Sequence, residues 1–193
     1  MNKTRLAIFA SGTGSNAVGI MDYFQEHPDV EVACVLSNRK NAPVLERAKE
    51  RFIETIILSN DEAENASILL KFTNKLGIDY VILAGYLRLI PAEFILKFNR
   101  KIINIHPSLL PKYGGKGMFG DNVHRAVLHS GDKETGITIH YVDLAFDEGE
   151  IIDQFKCDVV YNETIESIRS KIKSLELAHF SPVIEQTILK KGW

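Results

Sequence analysis

A chain of 193 residues, 45% of them hydrophobic, is long enough for one well-buried core and is expected to form a single domain. Its 23 Lys and Arg against 25 Asp and Glu leave a net charge of −2 with no basic stripe, which argues against a nucleic-acid binder and for small-molecule chemistry. Cys34 and Cys157 form no C-x-x-C pair, the apolar stretch before Gly12 is too short for a signal peptide, and no run approaches ~18 apolar residues, so a soluble, reduced, cytoplasmic protein away from membranes is expected.

In chain order, Arg5 to Ala10 is a short apolar run that reads as a buried strand. It exits into Ser11-Gly-Thr-Gly-Ser-Asn16, and a helix over Asn16 to Gln25 with Ser15 as its cap comes next. Two glycines and the opening of a helix make a natural phosphate cradle, since N–H groups and the favourable end of the helix dipole face the anion. Gly12, Gly14 and Ala17 also fit the G-x-G-x-x-A dinucleotide fingerprint, and Ser37-Asn38-Arg39 after the next strand would suit the 2′-phosphate of NADP. A tight turn without a ligand fits this loop as well.

Further strands are expected over Val30 to Leu36, Glu54 to Leu58, Tyr80 to Ala84 and Lys101 to Asn104, alternating with helices over Ala42 to Arg51, Asp61 to Leu76 with Asn60 as cap, and Pro91 to Phe98. That alternation predicts a mostly parallel sheet, with chemistry beyond the carboxyl ends of its strands. The Tyr80 strand leads into Ala84-Gly-Tyr-Leu-Arg-Leu-Ile90, where Gly85 permits close approach and an apolar wall could hold a flat heteroaromatic ring; a core strand running into a helix fits equally.

At the next exit stands Asn104-Ile-His-Pro-Ser-Leu-Leu-Pro111. If the strand continues, Asn104 and His106 emerge on one face, and Pro107 and Pro111 stiffen the exit loop. An amide can donate to a developing oxyanion and an imidazole can act as general acid or base. Gly136 to Val142 alternates and Glu150 to Phe155 lies at hairpin distance, which predicts two longer strands at a spacing that suits an antiparallel pair. Asp147 in the intervening turn could polarise His106, and an ordinary turn aspartate fits the pattern too. A last helix over about Glu163 to Lys190 should bend or break near Pro182.

The set S-G-T-G-S-N, A-G-Y-L-R, N-I-H-P-S-L-L-P-K-Y, G-I-T-I-H-Y-V and D-E-G-E-I closely resembles the glycinamide ribonucleotide formyltransferase family of folate-dependent purine synthesis, from about residue 5 to 190. The resemblance implies a Rossmann-like α/β domain over 1–193, an open sheet with antiparallel strands near its carboxyl-terminal part and helices on both faces. Its phosphate-binding half would cover about 1–100 and its folate and catalytic half about 80–193. It implies a catalytic triad of Asn104, His106 and Asp147, with the substrate phosphate on Gly12, Thr13, Gly14, Ser15 and Asn16. Gly85 and Glu176 would be further substrate contacts. The pterin pocket would comprise Tyr86, Leu87, Arg88, Leu89, Ile90, Val142, Asp143, Ala145 and Phe146. The implied partners are glycinamide ribonucleotide and the co-substrate 10-formyltetrahydrofolate, with no metal, no nucleic acid and no membrane, in a monomer or homodimer.

Two departures from the family pattern stand out. The glycine-rich stretch from Gly114 to Val123 is longer than the usual link and reads as a mobile lid. Lys173 stands where a Gln contacts substrate in the family, and the stretch Leu177 to Pro182 is one residue longer than usual. Other formyltetrahydrofolate enzymes, a hydrolase or methionyl-tRNA formyltransferase, normally carry an extra domain for which 193 residues leave no room. An NADP-binding protein is the third reading.

Overall fold

Residues such as Val, Ile and Leu in runs of four to eight can satisfy their backbone only by pairing with neighbouring strands, and such runs punctuated by helices give a layered α/β fold. The computed structural model, which describes residues 2–190, contains β1 (Thr4–Phe9), α1 (Ser15–Phe24), β2 (Val30–Ser37), α2 (Pro43–Lys49), β3 (Glu54–Ile57), α3 (Asn60–Ala63), α4 (Ala66–Lys75), β4 (Tyr80–Leu83), α5 (Ala92–Lys97), β5 (Ile102–His106), α6 (Asp121–Ser130), β6 (Glu134–Tyr141), β7 (Ile151–Asp158) and α7 (Ile165–Leu189). The outermost residues of the expected 1–193 domain, Met1 and 191–193, lie outside the described residues.

The strands form one seven-stranded sheet in the order β3-β2-β1-β4-β5-β6-β7. β1 runs parallel to β2 and to β4, and β2 parallel to β3, whereas β6 and β7 are antiparallel as the hairpin spacing predicts. Two compact units divide between Ile103 and Asn104. In the first, Leu6 to Phe9 are fully buried, and the Phe9 ring meets Phe72, Tyr86 and Phe94 at centroid distances of 6.1, 5.4 and 6.4 Å. Truncating such a ring to Ala costs about 3 to 5 kcal/mol. In the second, α7 packs against α6, β6 and β7 and buries Ile168, Ile172, Phe180, Val183 and Ile184.

Several local expectations are corrected. Ser15 does not cap α1 but belongs to it; the cap is Gly14, left-handed at φ 74, which makes no side-chain cap hydrogen bond. The expected helix from Asp61 to Leu76 is two helices. Ser59 and Glu62 close a reciprocal capping box around α3, and the Asn65 carboxamide then accepts from the N–H groups of Ser67 and Ile68 to start α4 afresh. Asn60, the expected cap, is the first residue of α3. β5 continues past Asn104 to His106. The stretch expected to be a loop as far as Val123 becomes helical at Asp121, because Val123, His124 and Val127 share a buried face. α7 runs through Pro182 without a break; the missing N–H removes one hydrogen bond, while the buried neighbours Phe180, Ser181, Val183 and Ile184 hold the turn by packing.

Candidate active site

β5 is buried on both faces except at half-buried Asn104; His106 is 4% exposed, and the two side chains lie on one face of the pleat. His106 Nδ1 lies 3.6 Å from Asp147 Oδ2, and its Nε2 lies 2.8 Å from the carbonyl oxygen of Tyr113. A carbonyl can only accept, so the ring donates from Nε2. Asp147 sits at a positive φ of 56° in the turn after β6, a strained backbone for a side chain with a Cβ. Its carboxylate is held by the Gly115 N–H at 2.9 Å. The turn itself depends on Gly149, where any Cβ would stand 1.8 Å from the Tyr141 carbonyl oxygen.

Asn104 does not contact His106 in a hydrogen bond; its Nδ2 faces His140 Nε2 at 3.1 Å. His140 also lies 3.8 Å from Asp147 Oδ1, and burial pushes its pKa below the usual imidazole range. Below this cluster, Thr138 Oγ1 donates to the Ser108 carbonyl at 2.7 Å and accepts from the Leu110 N–H at 2.9 Å. Gln154 Nε2 bonds both Thr138 Oγ1 and the Leu110 carbonyl. These contacts fix the loop after His106, so its rigidity comes from β6 and β7 as well as from the prolines. Residue type alone does not single out Thr138, His140 or Gln154. The available signal is the i, i+2 spacing of Thr138 and His140, which sets two polar side chains on one face while Ile137 and Ile139 take the other.

In the first unit, Ser11 ties three strand exits together. Its N–H donates to the Gly85 carbonyl at 3.1 Å, its hydroxyl donates to Asn38 Oδ1 at 2.7 Å, and it accepts from the Leu87 N–H at 3.0 Å. Thr13 is exposed, Gly12 is half-exposed with open space where a Cβ would stand, and Ser15 and Asn16 form the first turn of α1. Gly14 is required for a different reason than close approach of a ligand: a Cβ there would lie 2.3 Å from Val44 Cγ2. Asn38 Nδ2 is bonded to Asn60 Oδ1, and Ser37 Oγ accepts from the Arg39 N–H, so the groups expected to receive a 2′-phosphate are partly engaged within the protein.

The expected pterin residues differ in exposure. Tyr86 and Ile90 are buried, whereas Leu87 and Leu89 are exposed, and the Arg88 guanidinium pairs with Glu64. In the second unit Val142 is half-buried, Asp143, Ala145 and Phe146 are exposed, and Asp143 Oδ1 accepts from the Ala145 N–H. Glu176 is half-buried on α7 and Lys173 is exposed there. Tyr113, just before the Gly114 to Gly120 stretch, contacts His106, Gly115 within it contacts Asp147, and Asn122 Nδ2 donates to the Gly117 carbonyl. No helix among the described residues is long and apolar enough to cross a membrane.

The fold and site define a Rossmann-like α/β protein with a histidine–carboxylate pair at a strand exit. The chain belongs to the formyl transferase family, whose model matches residues 4–184. It is 37% identical over 88% of its length to the chloroplastic phosphoribosylglycinamide formyltransferase of Arabidopsis thaliana, of which it spans 60%. It is 32% identical over 94% of its length to the phosphoribosylglycinamide formyltransferase of Haemophilus influenzae, of which it spans 85%. The crystal structure of glycinamide ribonucleotide transformylase 1 from Geobacillus kaustophilus superposes with a TM-score of 0.86 at 34% identity, covering 95% of this chain and 97% of that one.

Proposed function

We propose that the chain acts as one formyltransferase domain that moves a formyl group from 10-formyltetrahydrofolate to the primary amine of glycinamide ribonucleotide, a step of purine synthesis. The observation that carries the chemistry is the His106 imidazole 3.6 Å from the Asp147 carboxylate at the end of β5, with Asn104 two residues earlier on the same face. Family membership and the names of the relatives supply the substrates.

The amine attacks the formyl carbon, the C=O bond opens, and negative charge collects on the formyl oxygen. Asn104 Nδ2 has two N–H groups and donates one of them to that oxygen. His106 donates from Nε2, turning this N–H from the Tyr113 carbonyl to the substrate. His106 and the carboxylate of Asp147 beside it help pass the proton of the attacking amine to N10 of the folate, which leaves as the C–N bond breaks and the formyl C=O re-forms. The loop from Gly12 to Asn16 holds the ribonucleotide phosphate at the amino-terminal end of α1. Exposed Leu87 and Leu89 of the first unit offer apolar surface to the pterin.

A coupled assay supplying both substrates, then omitting each in turn, tests this reading. Formyl transfer that needs both is the expected result. Release of formate without the ribonucleotide would assign a hydrolase, and binding of NADPH in place of the ribonucleotide would overturn the assignment of the loop.

A further inference from the structure

This inference rests on the role given to Asn104 above. A carboxamide has an oxygen end and a nitrogen end of nearly equal shape, and only the nitrogen end can donate to an oxyanion. The end presented must therefore be decided by a neighbour with a defined hydrogen-bond polarity. His140 is such a neighbour. Its Nδ1 lies 2.9 Å from the carbonyl oxygen of Tyr141, which can only accept, so the ring proton resides on Nδ1. A neutral ring protonated there has a lone pair at Nε2, and Asn104 Nδ2 lies 3.1 Å from it. The reversed amide would set its oxygen against that lone pair, two acceptors in contact with no proton between them.

Two further observations separate His140 from an ordinary core histidine. It is 2% exposed, and burial, with the push of His106, disfavours its charged form against the Tyr141 carbonyl bond and the pull of Asp147 and Asp143, so the ring keeps the polarity the contact needs. The β6 and β7 ladder also slips beside it: Ile139 pairs with Asp153 but His140 pairs with Ile151, leaving Ile152 as an extra residue. A bulge of this kind re-aims side chains at the edge of a site.

We propose that His140 is a positioning residue that orients the Asn104 carboxamide, engaging one N–H of Nδ2 and leaving the other for the developing oxyanion. It touches neither the formyl group nor the amine. His140→Leu should lower kcat about 10-fold or more, a part of the cost of losing an oxyanion donor, with KM for both substrates unchanged. His140→Gln, whose amide oxygen can accept from Asn104 at the position of Nε2, should keep most of the turnover. In an Asn104→Ala background His140→Leu should cost nothing further, because the two act as a unit. Independent, multiplying losses, wild-type turnover in His140→Leu, or equal impairment in the Gln and Leu variants would overturn the proposal. Nitrogen-15 NMR of the unsubstituted protein gives a readout that needs neither folding of a variant nor catalysis: His140 should be protonated at Nδ1 and bare at Nε2, and the opposite tautomer would overturn it too. Full activity in Asn104→Ala alone would instead bring down the catalytic reading, with the NMR tautomer still reporting the contact.

Discussion

Asn104 and His106 occupy alternate positions of one strand, and chemistry at that spacing depends on single atoms. Replacing either by Ala should lower turnover by about 10²-fold or more with the fold retained, as expected for an oxyanion donor or an acid–base group. Steady-state kinetics together with circular dichroism check this, and full activity in both variants would remove the mechanism. Asp147→Asn should also slow turnover and alter the pH–rate profile; an unaltered profile would take Asp147 out of the proton step. The glycine loop calls for two variants. Gly12→Ala adds its methyl to open space and should weaken ribonucleotide binding while leaving thermal unfolding unchanged, whereas Gly14→Ala meets Val44 and a left-handed backbone and should cost about 1 to 3 kcal/mol of stability. Calorimetry and thermal melts separate the two effects. Tyr86 offers a test of opposite sign. Its hydroxyl is buried without a partner, and burial pushes its pKa up to about 12, so Tyr86→Phe should leave the melting temperature equal or raise it. Asn104 and His106 stood out by residue type and spacing, whereas Asp147 joined them only through the family resemblance. The partners that aim it were not, since His140 and Tyr113 reach Asn104 and His106 only through tertiary contacts.

Among the elements, two short helices and one long one show how a few polar atoms decide where chain segments begin. The Asp61 to Leu76 stretch has helical residues throughout, yet Asn65 accepts from two backbone N–H groups and restarts the helix there. Asn65→Ala should cost about 1 kcal/mol, the worth of such a cap, and lower the melting temperature by a few degrees. At the start of α7, Glu163 accepts from Lys171 Nζ and from the Val160 N–H, and its carboxyl is held down at about 2, chiefly by the Lys171 bond. A carboxyl whose folded pKa lies below its unfolded value stabilises the fold above about 4.3, and that contribution is lost as the pH falls toward 2. Lys171→Met should therefore raise the Glu163 pKa in a carbon-13 NMR titration and bring acid unfolding on at higher pH; an unmoved pKa would show that Lys171 is not its cause. α6 illustrates the reverse problem. Its buried face is only three residues, Val123, His124 and Val127, too few to stand out after a run of glycines, and its helical state is supported by α7 and by the Arg169 pair with Asp121.

For the whole molecule, binding adds to stability by mass action. Glycinamide ribonucleotide at 100 times its dissociation constant should stabilise the protein by about 2.7 kcal/mol, which at this chain length is roughly 5 to 10 °C in melting temperature. NADPH under the same conditions should produce no shift, and a shift with NADPH alone would revive the dinucleotide reading. The amino-acid sequence by itself determined the alternation of strands and helices, because apolar periodicity and glycine punctuation are local properties that each segment carries alone. It also determined which residue types stand at the strand exits, and through them the family. The tertiary structure decided which atoms face each other: Asn104 against His140, His106 between Asp147 and Tyr113, Gly14 beneath Val44, and the Arg88 guanidinium on Glu64. These pairings join residues up to 41 positions apart, as for His106 and Asp147, and such contacts depend on strand register, on a one-residue bulge and on turns held at unusual backbone angles. A shift of one residue in any of them reverses the face a side chain occupies, and the hydrophobic pattern of a segment taken alone does not say which register its neighbour adopts.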